Sequence, residues 1–164
     1  MPRSLLWPDP RVKPPFGSVE LDRGHPLAHG LVGYWLFNEG GGPLALDLAA
    51  TNIGTLTNGP IWVPGRTAGP ALKFDGVNDY VNVPSTFVLT GNYSLCAWAY
   101  KDSANVGKRW FSVGDTVNGI QAVLTVNGDS GKYFHGVQDN GQAMRVAATD
   151  NQWHHVCGVY SGVT

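Results

Sequence analysis

Hydrophobic and polar positions alternate over short runs along most of the chain, and the runs are separated by Gly, Asn, Asp and Pro. In ALKFDGVNDYVNVP (71–84), Leu72 and Phe74 share one face of a strand, and Val81 and Val83 share one face of the next. Asp75-Gly76-Val77-Asn78-Asp79 between them has the chemistry of a tight turn, so the pattern predicts a β-hairpin with one apolar face. A lone hairpin is not stable in water. Leu72, Phe74, Val81 and Val83 are therefore expected to be buried against a larger sheet.

The same reading predicts further strands. Gly30 to Phe37 is apolar on both faces and is expected to be covered on both sides. A short strand follows at Gly54 to Leu56, and Asn58-Gly59-Pro60 turns the chain. Later strands are predicted at 93–100, 109–113, 120–126, 132–137, 143–147 and 153–160, with turns at Asn127-Gly128 and Asp139-Asn140-Gly141. No segment has a helical period. The expected fold is an all-β, two-sheet antiparallel sandwich.

Three motifs carry a family resemblance: LVGYWLFNEGGG, the 71–84 stretch, and NQWHHVCGVYSG. Over about residues 31–162 the chain resembles a laminin-G-like domain of the concanavalin A-like jelly-roll superfamily. That resemblance implies a sandwich that binds rather than catalyses. It divides the chain into an extended Pro-rich arm, 1–30, and a sandwich, 31–164.

Composition sharpens the picture. The chain has 164 residues, enough for one domain with a real core. Its 22 glycines and 11 prolines suit many short strands and demanding turns. A net charge of −1 argues against nucleic acid as a partner, and no apolar run is long enough to span a bilayer. The N-terminus lacks a signal-peptide core, which predicts cytoplasmic synthesis, with a virion surface or the extracellular space reached only after release. Six prolines fall in the arm, together with Trp7 and Phe16, so the arm reads as a leader or as a segment lying on a neighbouring subunit. HPLAHGLVGYW resembles the start of laminin-G-like proteins in phage and prophage gene clusters. Cys96 and Cys157 each sit in a strand-like run, and two buried free thiols are favoured over a disulfide.

Candidate chemistry is sparse. Glycosidases of this superfamily carry paired carboxylates on one strand. Here the only glutamates are Glu20, in the arm, and Glu39, in a loop, so no enzyme is expected. Gly128-Asp129-Ser130-Gly131 reads as a turn rather than a nucleophile loop. His154 and His155 should point to opposite faces, and His25 and His29 flank Pro26, so neither pair suits one metal ion. The Asn92-Tyr93-Ser94 sequon is expected to go unused.

The resemblance implies Ca2+ as a candidate cofactor. Its ligands would come from Asp47 and Asn52 in one segment, or from Asp75, Asn78 and Asp79 in another. The competing and preferred reading makes these residues Asx turns. Where the family often has Asp-x-Ser-Gly-Asn-Gly, this chain has DLAATNIG.

For a glycan or another surface ligand, Trp62, Trp110 and Tyr133 are the candidate binding aromatics, since each lies beside loop residues. The alternative function is a structural virion protein, a head-decoration or tail-associated subunit that uses sandwich and arm for protein contacts. The family's closing strands, which follow a segment like WHHVCGVYSG, have no counterpart here. This raises the expectation of a sandwich completed in trans, by a homo-oligomer or by a partner chain donating strands.

Overall fold

The computed structural model describes residues 13–84, 92–100, 109–115, 119–127, 132–136, 143–147, 149 and 151–160, with residues 109–147 described as backbone only. Eleven strands are present among them, and all their ladders are antiparallel. The non-strand regular element among these residues is a 3-10 turn at Pro26–Ala28, capped by His25, whose Nδ1 accepts from the Leu27 N–H at 3.2 Å. The all-β expectation holds. The chain forms two compact units, Met1–Thr86 and Phe87–Thr164.

In the first unit, β1 (Leu44–Ala45), β2 (Gly54–Thr57) and β5 (Tyr80–Asn82) form one sheet in the order β1-β2-β5. β3 (Ile61–Pro64) and β4 (Pro70–Lys73) form a separate hairpin. Its turn is closed by the Gly65 N–H on the Gly69 carbonyl at 2.7 Å. Among the described residues of this unit, Ala45, Ala49 and Ala71 are buried, as is Pro60. Gly54 is required where β2 packs: a Cβ there would lie 2.5 Å from Val81 Cγ1 and 3.4 Å from Ala45 Cβ.

The structure corrects the predicted hairpin. β4 and β5 lie at the expected residues but do not pair with each other: β4 pairs with β3, and β5 pairs with β2. The linker 74–79 runs from one sheet to the other, and the Asp75 carboxylate gathers it locally. Asp75 Oδ1 accepts from the N–H groups of Val77 (2.8 Å), Asn78 (3.2 Å) and Asp79 (3.3 Å). Phe74, expected in the core, is 40% exposed at the mouth of this linker. Leu72, Val81 and Val83 are half-buried rather than buried.

The Gly30–Phe37 segment is also corrected. It makes one isolated bridge, Trp35 to Asp47, instead of a ladder, and Leu31, Val32 and Tyr34 are exposed. Side chains from the loop after β1 satisfy its backbone instead. The Tyr34 N–H donates to Asp47 Oδ1 at 2.8 Å, and Asn52 Nδ2 donates to the Val32 carbonyl at 3.3 Å.

Residues 13–29 hold to their own unit at three points. Lys13 Nζ donates to the carbonyls of Phe37 (3.2 Å) and Pro70 (2.6 Å). Asn38 Nδ2 donates to the Pro14 carbonyl, and Arg23 Nη2 to the Ala49 carbonyl. Burial lowers the Lys13 pKa, and the Glu39 carboxylate partly opposes this. Phe37 sits at φ 53°, a left-handed conformation uncommon for a bulky residue, and in that conformation its carbonyl accepts from Lys13.

In the second unit, β7 (Arg109–Asp115), β8 (Gly119–Asn127), β9 (Lys132–Gly136) and β10 (Ala143–Ala147) form a sheet in the order β10-β9-β8-β7. β6 (Tyr93–Tyr100) and β11 (Trp153–Tyr160) form a two-stranded ribbon, paired over eight residues from Tyr100↔Trp153 to Tyr93↔Tyr160. The six predicted late strands match β6 to β11 to within two residues at each end.

Candidate functional site

The β6–β11 ribbon sorts its side chains by alternation. Leu95 and Ala99 are buried and Tyr93 and Ala97 half-buried on one face; Ser94, Cys96, Trp98 and Tyr100 are exposed on the other. On β11, His155, Cys157 and Val159 share the exposed face, while His154, Val156 and Gly158 alternate with them. Antiparallel register then sets Trp98 opposite His155 and Cys96 opposite Cys157, all four exposed, and the exposed Tyr100 opposite the half-buried Trp153.

The result is an aromatic strip. The Trp98 and His155 rings are 5.1 Å apart between centroids and tilted at 40°. Tyr100 and Trp153 meet edge-on at 5.7 Å. Trp98 is 51% and Tyr100 47% exposed, so large parts of both rings face solvent. Successive outward positions on a strand lie about 7 Å apart, which sets the spacing of the two aromatic pairs. β6 and β11 contain no Asp, Glu, Lys or Arg.

Cys96 and Cys157 form a disulfide across this face, which corrects the expectation of buried free thiols. Both lie on the exposed face in directly paired positions, with Cα atoms 4.1 Å apart. Each strand alone was legible; the register that places residue 96 opposite residue 157 was not, and that register makes the bond possible.

The predicted binding aromatics fall in both units. Trp62 lies in β3, half-buried, and its indole N–H donates to the Gly42 carbonyl at 3.0 Å. Trp110 falls in β7, where the register with β8 shifts between Arg109 and Phe111, and Tyr133 falls in β9 opposite Val126 and Val146. The side chains of Trp110 and Tyr133 lie outside the described residues, as do the Gly128–Gly131 turn and Trp7. Sequence reasoning passed over Trp98, Tyr100 and Trp153, and weighed His155 only as a metal ligand. The signal was the alternation in YSLCAWAY, which sets Cys96, Trp98 and Tyr100 on one face.

The acidic groups do bring their predicted members together, as hydrogen-bond acceptors. Asp47 is buried. Its Oδ1 accepts from the N–H groups of Tyr34 (2.8 Å) and Ala49 (2.9 Å). Its Oδ2 accepts from Asn52 N (3.2 Å) and Nδ2 (3.0 Å). Burial by itself pushes the Asp47 carboxyl pKa up. The N–H groups of Tyr34, Ala49, Asn52 and Ala50 outweigh burial and hold it below the ordinary value.

In the other cluster, Asp79 Oδ2 accepts from the Asp75 N–H at 3.0 Å, and the Asn78 carbonyl accepts from Asn58 Nδ2 at 2.8 Å. A calcium ion needs six to eight oxygens aimed at one point. Around Asp47 the neighbours present N–H groups instead, the Asn52 amide nitrogen included, so this arrangement does not fit the ion. Among the described residues no three His, Cys, Asp or Glu side chains are grouped for a metal. His154 and His155 take opposite faces as expected, and His154 Nε2 lies 3.0 Å from the Thr149 carbonyl.

A laminin-G model of the concanavalin A-like lectin/glucanases superfamily matches residues 75–164. The chain belongs to this superfamily. The match spans β5 to β11, including both strands of the aromatic ribbon, and does not extend to the arm, whose likeness to phage proteins has no support from it. Comparison with curated proteins and with solved structures returns no match. Membership accords with a module that binds carbohydrate or another ligand. Among the described residues no helix is long and apolar enough to cross a membrane.

Proposed function

We propose that this chain is a non-catalytic recognition module that holds a neutral saccharide against the outer face of β6 and β11. The aromatic strip of exposed Trp98, Tyr100 and His155 with half-buried Trp153, on strands free of Asp, Glu, Lys and Arg, carries the reading. Sugar rings present C–H faces that stack on aromatic planes and hydroxyls that need hydrogen-bonding partners. Trp98 and Tyr100 supply planes. The His155 ring, the Tyr100 hydroxyl and Ser94 supply polar groups on the same face. Neither strand carries a Lys or Arg to pair with a sulfated or phosphorylated ligand. Neither strand holds the paired carboxylates that glycoside hydrolysis uses, and Glu39 Oε1 is engaged by the Leu46 N–H at 2.7 Å.

The test is an array of neutral and anionic glycans followed by calorimetric titration of the hits. The expected result is binding of neutral oligosaccharides that weakens at least tenfold in Trp98→Ala, with Trp62→Ala unaffected. Binding confined to anionic glycans, or a Trp98→Ala protein that binds like wild type, would overturn the assignment.

A further inference from the structure

We infer that the Cys96–Cys157 disulfide is a redox-controlled clip that holds the aromatic face together and releases it on reduction; the saccharide part of this inference rests on the function proposed above. Four observations converge. The bond joins directly opposed residues near the middle of the ribbon, at the position next to the Trp98–His155 pair on the same face. Both cysteines are exposed, so a reductant reaches the sulfurs without unfolding the unit. Among the described residues the ribbon has two strands, and pairing of two strands is marginal without further support. The chain contains no other cysteine, so a reduced clip has one way to re-form.

The chemistry balances with a dithiol as reductant. One thiolate attacks a cysteine sulfur, breaks the S–S bond and expels the other cysteine as a thiolate, leaving a mixed disulfide. The reductant's second thiol then attacks its own sulfur in that mixed disulfide and frees the second cysteine. Two electrons pass to the protein, both cysteines end as thiols after protonation, and the reductant leaves as a cyclic disulfide. Without the bond, the ring stacks across β6 and β11 depend on hydrogen bonds and side-chain packing alone. The strands separate more often, and Trp98 and Tyr100 no longer hold a fixed spacing from His155 and Trp153.

The experiment follows amide hydrogen exchange by mass spectrometry and neutral-oligosaccharide affinity, with the full chain oxidised, reduced by dithiothreitol, and reoxidised. The expected result is faster exchange confined to β6 and β11 on reduction and at least tenfold weaker binding, both reversed by reoxidation. The Cys96→Val/Cys157→Val protein, which keeps a cross-strand apolar pair, should ignore the reductant in both measurements. Unchanged exchange on reduction overturns the clip whatever the binding does. Loss of protection throughout Phe87–Thr164 also overturns it, since the bond would then be a staple of the whole unit. Faster exchange at β6 and β11 with unaltered affinity overturns redox control and leaves the saccharide site standing. Faster exchange in a protein that binds no saccharide even when oxidised supports the clip and sinks the proposed ligand.

Discussion

Replacing Asp47 tests whether one carboxylate organises the loop between β1 and β2. Four N–H bonds end on it, from Tyr34, Ala49 and both nitrogens of Asn52, at 2.8 to 3.2 Å. Hydrogen bonds to a charged group contribute about 1.5–3 kcal/mol each when broken singly. The contributions do not add, and exposed neighbours regain water. The Ala49 N–H is buried and cannot regain it, and the Tyr34 N–H is partly buried. Asp47→Ala is therefore expected to destabilise the first unit by about 3–4 kcal/mol. Asp47→Asn keeps one acceptor oxygen but turns an amide N–H toward Asn52, and should cost about 2 kcal/mol. The assay is urea unfolding followed by tryptophan fluorescence, since the Trp35 indole N–H bonds the Asn52 carbonyl at 2.9 Å and reports on this loop.

The pH dependence supplies a second reading of the same bonds. The folded carboxyl sits below its ordinary value of 3.8. Its stabilisation is thus complete above that value and fades as pH falls through the lower folded one. The difference between wild type and Asp47→Asn should be constant near neutrality and shrink below about pH 4. An Asp47→Ala protein within 0.5 kcal/mol of wild type, or a difference that does not change in acid, would show that the carboxylate does not hold the loop.

Gly54→Ala should destabilise the β1-β2-β5 sheet by about 1–3 kcal/mol, because the new methyl meets Val81 at 2.5 Å; a neutral urea midpoint would mean that β2 and β5 pack less closely. Since the Asp47 neighbours present donors rather than acceptors, neither EDTA nor excess Ca2+ should shift the melting temperature of the first unit; a rise with Ca2+ would show that the loop rearranges to bind the ion.

Local pattern was sufficient wherever structure depends on near neighbours in the chain. The late strands were legible because alternation and turn residues mark both their ends. Asp75 and Asn58-Gly59 formed their turns as read, since an Asx turn needs only groups a few residues away. Pairing was decided elsewhere. β4 and β5 have the composition of a hairpin, yet each finds its partner in another strand, because the choice depends on which sheet covers an apolar face and not on the intervening turn. Gly30–Phe37 reads as a strand but is held by Asp47 and Asn52, whose aim follows from the path of a different loop. The aromatic strip and the disulfide share that origin. Alternation placed Cys96, Trp98 and Tyr100 on one face of β6, but only the register of β6 on β11, across 61 residues of chain, set Cys157 and His155 opposite them.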